Sequence, residues 1–155
     1  MSTKKDTKRY LKPDFKYSSK MVSKFINKIM LDGKKSIAEK IVYDSLEQLA
    51  KNVSEDPLVA FKTAIDNVAP RMEVRSRRVG GSTYQVPVEV SEDRGVGHAM
   101  NWIIKFSRSR KGKSMTQNLS QELTDAFNNV GSSSKKRDDT HKMAESNKAF
   151  AHFRW

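Results

Sequence analysis

The sequence predicts a mainly α fold, a single domain of about six helices with a protruding two-stranded β-hairpin arm inserted after the third helix. Three observations carry this expectation. Apolar residues recur at helical spacing in separate stretches, the period shortens to two across residues 71–90, and Gly80-Gly81 stands at the centre of that change. A length of 155 residues suits one domain able to bury its own core without a metal or disulfide staple. There is no cysteine, which excludes disulfides, thiolate zinc sites and cysteine nucleophiles together.

Residues 1–16, MSTKKDTKRYLKPDFK, have no periodicity and include Pro13, so they read as a flexible basic arm that orders on a phosphate backbone. Met21, Val22, Phe25, Ile26, Ile29 and Met30 mark the first helix, with Ser18 or Ser19 as its cap and Gly33 just past its end. Ser36 and Glu39 have the spacing of a capping box for the second, whose stripe is Ile37, Ile41, Val42, Leu46, Leu49 and Val53. Asp56-Pro57 starts the third, which carries Leu58, Phe61, Ile65 and Val68 and stops at Ala69-Pro70. Residues 71–79 and 82–90 flank the glycine pair as a β-ribbon, with Tyr84, Val86, Val88 and Val90 alternating along the second strand. Pro87 cannot donate to a ladder, so that strand has an open edge.

Helical spacing returns from Ser91, with Val96, Met100, Ile103 and Ile104 on one side, although Gly95 and Gly97 weaken the first turns. A basic loop, SRSRKGK at residues 107–113, comes next. Ser114 and Gln117 form another capping box, followed by Met115, Leu119, Leu123, Ala126, Phe127 and Val130, with Gly131 closing the helix. The last helix is expected to start at Ser133 or Ser134 and run into MAESNKAFAHFRW, leaving residues 148–155 as a basic, aromatic tail.

Thirty Lys plus Arg stand against eighteen Asp plus Glu, a formal net charge of +12. The excess is concentrated in residues 1–35, 71–114 and 135–155, whereas residues 36–70 and 115–134 are net acidic. A fold that gathers the basic segments makes one positive face, and the partner this implies is a polyanion, nucleic acid first. No apolar run reaches membrane-span length and the N-terminus lacks a secretory apolar stretch, so an intracellular protein with no membrane partner is expected. Gly112-Lys113-Ser114 imitates the end of a phosphate-binding loop, but Ser107 stands where that loop needs glycine. His98, His141 and His152 are isolated from ligand-type neighbours, and Asp138-Asp139 fits the first turn of a helix. No nucleophile, base and orienting group can be assembled, so neither an enzyme nor a cofactor is expected.

Chemistry concentrates in three places. The ribbon puts Arg71, Arg75 and Arg77 on one face of its first strand and Arg78 at its tip, where guanidinium groups suit bidentate phosphate binding or charge protection of an edge strand. The loop places Arg108, Arg110, Lys111 and Lys113 beside the amide-rich start of a helix. The tail mixes Phe150, His152, Phe153, Arg154 and Trp155 as single-strand-binding surfaces do, although packing on the body would equally occupy Phe150 and Phe153.

The stretch PRMEVRSRRVGGSTYQVPVEV at residues 70–90 resembles the hallmark of the small-subunit ribosomal protein seven family. PDFKYSSKMVSKFINKIMLDGKKSIAEKIVYDSL at residues 13–46 and the tail MAESNKAFAHFRW are also similar to that family. The resemblance implies a helical body with a β-ribbon arm that binds the 3′ major domain of 16S rRNA and nucleates assembly of the small-subunit head. It places the protein at the subunit interface near the decoding centre, exit-site tRNA and mRNA, beside small-subunit ribosomal proteins nine and eleven, in a cytoplasmic or organellar ribosome. Carried over by position, the rRNA-facing groups are Lys8, Arg9, Lys34, Lys35, Arg75, Arg77, Arg78, Arg108, Arg110, Lys111, Lys113 and Met115. Arg71, Lys136, Arg137, Lys142 and Lys148 are counted with them. Arg78, Val79, Gly80, Gly81 and Ser82 at the tip, and His152, Arg154 and Trp155 in the tail, would lie near tRNA and mRNA. Two departures stand out: lysines in the N-terminal arm where relatives carry arginine, and Gly95, Gly97 and Asn101 where relatives carry more arginine and no glycine. A histone-like architectural DNA-binding protein shares the composition but usually places a wedge proline at the ribbon tip, where this chain has Gly-Gly.

Overall fold

Apolar side chains spaced three and four apart must bury one face of each helix, and the arrangement that does so here is centred on a single helix. A computed structural model of the protein describes residues 11–155. In chain order the elements are α1 (Lys20–Ile29), α2 (Lys35–Val53), α3 (Pro57–Val68), β1 (Met72–Val79), β2 (Ser82–Glu89), α4 (Glu92–Ser109), α5 (Met115–Phe127) and α6 (Gly131–Ser146). A 3-10 helix, Lys148–Phe153, closes the chain. The mainly α class and the ribbon after the third helix are as the periodicity predicts; the expected last helix divides at Asn147 into α6 and the 3-10 turn.

Helix α5 is the central rod, packed against α2, α3, α4 and α6. Its Leu119, Leu123 and Ala126 are fully buried, as are Leu46 and Leu49 of α2, Phe61 and Ile65 of α3 and Met100 and Ile103 of α4. Phe25 of α1 reaches Phe61 with ring centroids 5.0 Å apart. Each such large side chain contributes about 1.5–3 kcal/mol by leaving water. This core, not the two-stranded sheet, holds the molecule together.

The helix starts divide into locally encoded and tertiary ones. Ser19 caps α1 through Val22 N, Asp56 caps α3 through Leu58 N and Val59 N, and Ser91 caps α4 through Arg94 N. The Ser114–Gln117 capping box is present in both directions. The Ser36–Glu39 box is not: α2 begins at Lys35, so Ser36 is already inside the first turn, and Lys34 at the cap position makes no side-chain bond to the helix. That register also leaves Ile37 exposed, turning Ala38 and Ser45 inward instead. Helix α1 ends at Ile29, and Gly33 sits beyond it in the turn to α2. Gly95, which costs α4 some intrinsic propensity, is required by close packing: a Cβ there would lie 3.1 Å from the Pro70 carbonyl oxygen.

Residues 11–19, aperiodic in sequence, wrap one buried carboxylate. Asp14 accepts from the amides of Lys16, Tyr17 and Ser19 at 2.8–3.0 Å and from the Tyr43 hydroxyl at 3.3 Å. Lys16 also pairs with Glu47, and Ser23 donates to the Lys12 carbonyl. The first part of the expected flexible arm, residues 1–10, lies outside the described residues.

The start of α6 departs most from expectation. Ser133 and Ser134 are buried inside the first turn and cap nothing; the helix begins at Gly131 and its terminus is satisfied from α5. Glu122, 1% exposed, accepts from Ser133 N at 3.3 Å and Ser133 Oγ at 2.8 Å with one oxygen. Its other oxygen takes Arg110 Nε at 3.0 Å and the same guanidinium's terminal nitrogen at 2.8 Å. Arg110 also reaches Asp125 at 2.8 Å. Gly131 does not close α5; Asn129, at φ +57, turns the chain, and Gly131 opens α6 at φ +86 with Asp125 Cβ only 2.9 Å from where its own Cβ would be. Val130, expected on the apolar stripe, is exposed in this turn.

Removing Glu122 leaves Arg110 with Asp125 alone and strands the Ser133 amide and hydroxyl at the start of α6. Glu122→Ala is therefore expected to lower stability by about 3 kcal/mol, read as a shift in the urea midpoint. Gly131→Ala should cost about 1–2 kcal/mol from the left-handed φ alone, and more from the Asp125 clash.

Candidate nucleic-acid interface

Strands β1 and β2 pair antiparallel, Met72 opposite Glu89 through Val79 opposite Ser82, with Gly80 and Gly81 at φ +57 and +83 in the turn. Directly opposed residues share a face. Arg75 and Arg77 therefore lie on the side of Val86 and Tyr84, of which Val86 is fully buried and Tyr84 half-buried. That face is tied down at two points.

At the base, Glu73 is the knot. It is 8% exposed and accepts from Arg75 Nε at 3.1 Å, Arg94 Nε at 2.7 Å and Arg94's terminal nitrogen at 3.3 Å, with His98 Nε2 at 3.1 Å. Burial pushes its carboxyl up, but hydrogen bonds from Arg94 and Arg75 outweigh that and hold it below the ordinary 4.5. On the other side of the base, the Arg71 amide donates to His141 Nε2 at 3.0 Å.

Further out, the tail closes over the ribbon. Arg77 donates to the Phe153 carbonyl and, at 3.3 Å, to the Arg154 carbonyl, and lies 5.4 Å from the Trp155 ring. Tyr84 stacks on Phe153 at 4.5 Å between centroids and touches Phe150 at 5.4 Å. Arg154 Nε donates to the Pro87 carbonyl at 2.8 Å. Of the tip residues, Arg78, Gly80, Gly81 and Ser82 are exposed and Val79 is half-buried; His152 and Trp155 are exposed in the tail.

The basic loop is shorter than its sequence suggests, because α4 continues to Ser109 and buries Ser107, whose hydroxyl donates to the Ile103 carbonyl at 2.6 Å. Arg108 donates to the Ile29 carbonyl at 3.2 Å, tying α4 to the end of α1. Arg110 is committed to Glu122 and Asp125, and Met115 packs on the core. Lys111 and Lys113 are left exposed beside the α5 N-terminus, on a loop fixed by Asn118, which donates to the Arg110 and Lys113 carbonyls.

Elsewhere, Lys34 and Lys35 are exposed at the α1–α2 turn, and Lys136, Lys142 and Lys148 are exposed on α6 and the tail. Arg137 is directed inward, to the Asn67 carbonyl, Asn129 and Asp138. Lys8 and Arg9 lie outside the described residues.

One basic site does not stand out in the sequence. Between α1 and α4 a notch of about 250 Å³ is lined by Lys28, Asn101, Ile104, Lys105 and Arg108, with no carboxylate among the described residues of its wall. Lys28 donates to Asn101 Oδ1 at 3.0 Å; burial, then Lys24, hold its ammonium below the ordinary 10.5. Gly97 faces Lys24, whose ammonium is 3.8 Å from where a Cβ would be. The signal available is spacing: Lys24 and Lys28 are four apart on one helix, and Lys105 and Arg108 three apart on another.

The chain matches the family model described as ribosomal protein S7p/S5e over residues 1–148. It is 58% identical over 148 residues to the small ribosomal subunit protein uS7 of Petrotoga mobilis, covering 96% of this chain and 96% of that protein. It is 56% identical to the protein of that name from Desulfovibrio desulfuricans and 55% identical to the one from Mycolicibacterium vanbaalenii, each across 96% of this chain and 95% of the relative.

The Glu73 knot makes the ribbon base acid-sensitive. A carboxyl held below 4.5 contributes stability that is complete above that pH and is lost as pH falls through its folded value. Protection of the β1 amides, relative to their intrinsic exchange rates, should therefore fall below pH 4.5 while the α5 core stays protected. In Glu73→Gln the ribbon should exchange about tenfold faster at neutral pH, with the acid dependence reduced.

Proposed function

This chain belongs to the ribosomal protein S7p/S5e family and is a structural component of the small ribosomal subunit, not an enzyme, and we propose that it is a primary binder of the 3′ major domain of 16S rRNA. On this reading residues 1–155 act as one ribosomal-protein domain that nucleates assembly of the subunit head. It works in the cytoplasm, at the subunit interface near the decoding centre.

The observation that carries the reading is the notch between α1 and α4, with no carboxylate among the described residues of its wall, together with the exposed Lys111 and Lys113 on the loop fixed by Asn118. Clustered cations with a displaced ammonium pKa are poised for an anion, and a phosphate entering the notch would relieve the Lys24–Lys28 repulsion. Arg71, Lys34, Lys35, Lys136, Lys142 and Lys148 extend the positive surface, and Arg75 adds a half-exposed side chain. Arg77, Arg110 and Arg137 serve RNA indirectly, by holding the tail, the loop and the end of α3. The ribbon tip and tail, standing clear of the core, are assigned to exit-site tRNA and mRNA, and proteins nine and eleven to adjoining surface.

Binding to the isolated 3′ domain should weaken steeply with salt. Replacing Lys28, Lys105, Lys111 and Lys113 by Gln should make that dependence shallower, by about 1 in slope for each phosphate left without its cation. Arg78→Ala should leave that affinity nearly unchanged and alter tRNA retention at the exit site of whole ribosomes. Filter binding across a salt series measures the first effect; salt-independent binding would overturn the reading.

A further inference from the structure

We propose that the cavity between the ribbon and the tail receives one unstacked nucleobase of an RNA single strand, with the adjoining phosphate held by cations at its rim. The proposal rests on the RNA-binding reading above and adds a site of different chemistry, on the opposite side of the ribbon base from the Glu73 knot.

The cavity, of about 340 Å³, lies where β1 and β2 meet α6 and the 3-10 helix. That is near the lower end of the range for small-molecule sites, about 300–1,000 Å³, and suits one ring system better than an intercalated stack. Its apolar wall is Met72, Pro87, Ala144 and Ala151, of which Pro87 and Ala144 are buried. A proline ring and two methyl groups give a planar base a surface to lie on, and a thioether packs well against aromatic rings. Arg71, Lys148 and Arg154 supply the rim. Arg154 is held by the bond from its Nε to the Pro87 carbonyl, which leaves its terminal nitrogens for an anion.

Two polar groups give the cavity a preference among bases. His141 Nε2 accepts from the Arg71 amide, so its neutral ring carries the proton on Nδ1 and offers a donor. Burial and then Arg137 lower its pKa below 6.5, with Arg71 adding to this and Asp138 opposing, so the neutral form prevails above that pH. Glu145 is the one carboxylate among the described residues lining the cavity, loosely paired with Lys148 at 3.9 Å, and it accepts from an exocyclic amino group. Among the single-ring bases that the volume favours, cytosine presents an amino donor to Glu145 and a ring nitrogen acceptor to His141, whereas uracil presents a ring N–H and carbonyls in place of that amino group. An apolar side chain of a partner protein would fill the floor but leave the guanidinium groups of Arg71 and Arg154 at the rim without an anion.

The test uses the full chain with methyl-labelled alanine. Hexacytidylate should shift the Ala144 and Ala151 methyl resonances and bind about fivefold more tightly than hexauridylate. A hexamer of abasic ribose phosphates, with the same charge, should leave those methyls unmoved. Ala151→Leu, which fills the cavity, should weaken hexacytidylate about tenfold while 3′-domain rRNA affinity stays close to that of the parent. Glu145→Ala, at an exposed position whose one pairing is the loose contact with Lys148, removes the acceptor and should erase the preference for cytosine over uracil. Methyl shifts with the abasic hexamer, or unchanged hexacytidylate binding by Ala151→Leu, would overturn the site. So would 5′-cytidine monophosphate binding as tightly as the hexamer, which would make it a site for free nucleotides. Failure of the parent chain to bind 3′-domain rRNA is a separate result, and would count against the RNA reading itself.

Discussion

A buried carboxylate sets where the basic loop and the last helix leave the core. Glu122 projects from the central helix α5 and answers two groups that would otherwise be costly: the guanidinium of Arg110 and the orphan amide at the start of α6. A fully buried anion is unfavourable unless its lone pairs are occupied, and here each oxygen has two donors. Because the first partner belongs to the basic loop and the second to α6, one side chain sets where both leave the core. Helix α6 in turn packs along β1, so the direction of the ribbon follows from the same knot.

The arginines divide by role in a way that charge counting cannot show. Arg77, Arg110 and Arg137 each reach carbonyl or carboxylate oxygens of their own chain, and their planar, multi-donor heads suit them to holding irregular backbone in place. The exposed cations are mostly lysines, among them those at positions 34, 35, 111, 113, 136, 142 and 148, whose ammonium groups can follow a backbone without fixed geometry. The rigid cations thus shape the surface and the mobile ones charge it.

Periodicity makes the helices, the ribbon and its turn legible, and local caps such as Asp56-Pro57 and Ser114-x-x-Gln117 are legible because they satisfy amides within three residues. The features that sequence misplaces share a cause. Ser36 has the spacing of a cap that a one-residue shift of the helix removes, and Ser133 resembles a cap although its own amide is capped from another helix. Gly131 belongs to α6 rather than to the end of α5, because its purpose is clearance from Asp125. The notch between α1 and α4 combines pairs of cations separated by more than seventy residues, and only packing brings them together. In the ribbon, alternation identifies the arginine face but not that the last residues of the chain cover it.

The closure of the tail over the ribbon has a consequence for how the protein is made. Strands β1 and β2 leave the translating ribosome long before Phe153 and Arg154, whose carbonyls engage Arg77, and before the ring that stacks on Tyr84. A nascent chain can complete its helical core while the arm still lacks its support, which arrives only with residues 150–154. A chain stopped a few residues early would keep its core and most of its charge yet carry an unbraced arm. The geometry of the arm thus depends on residues made well after both of its strands.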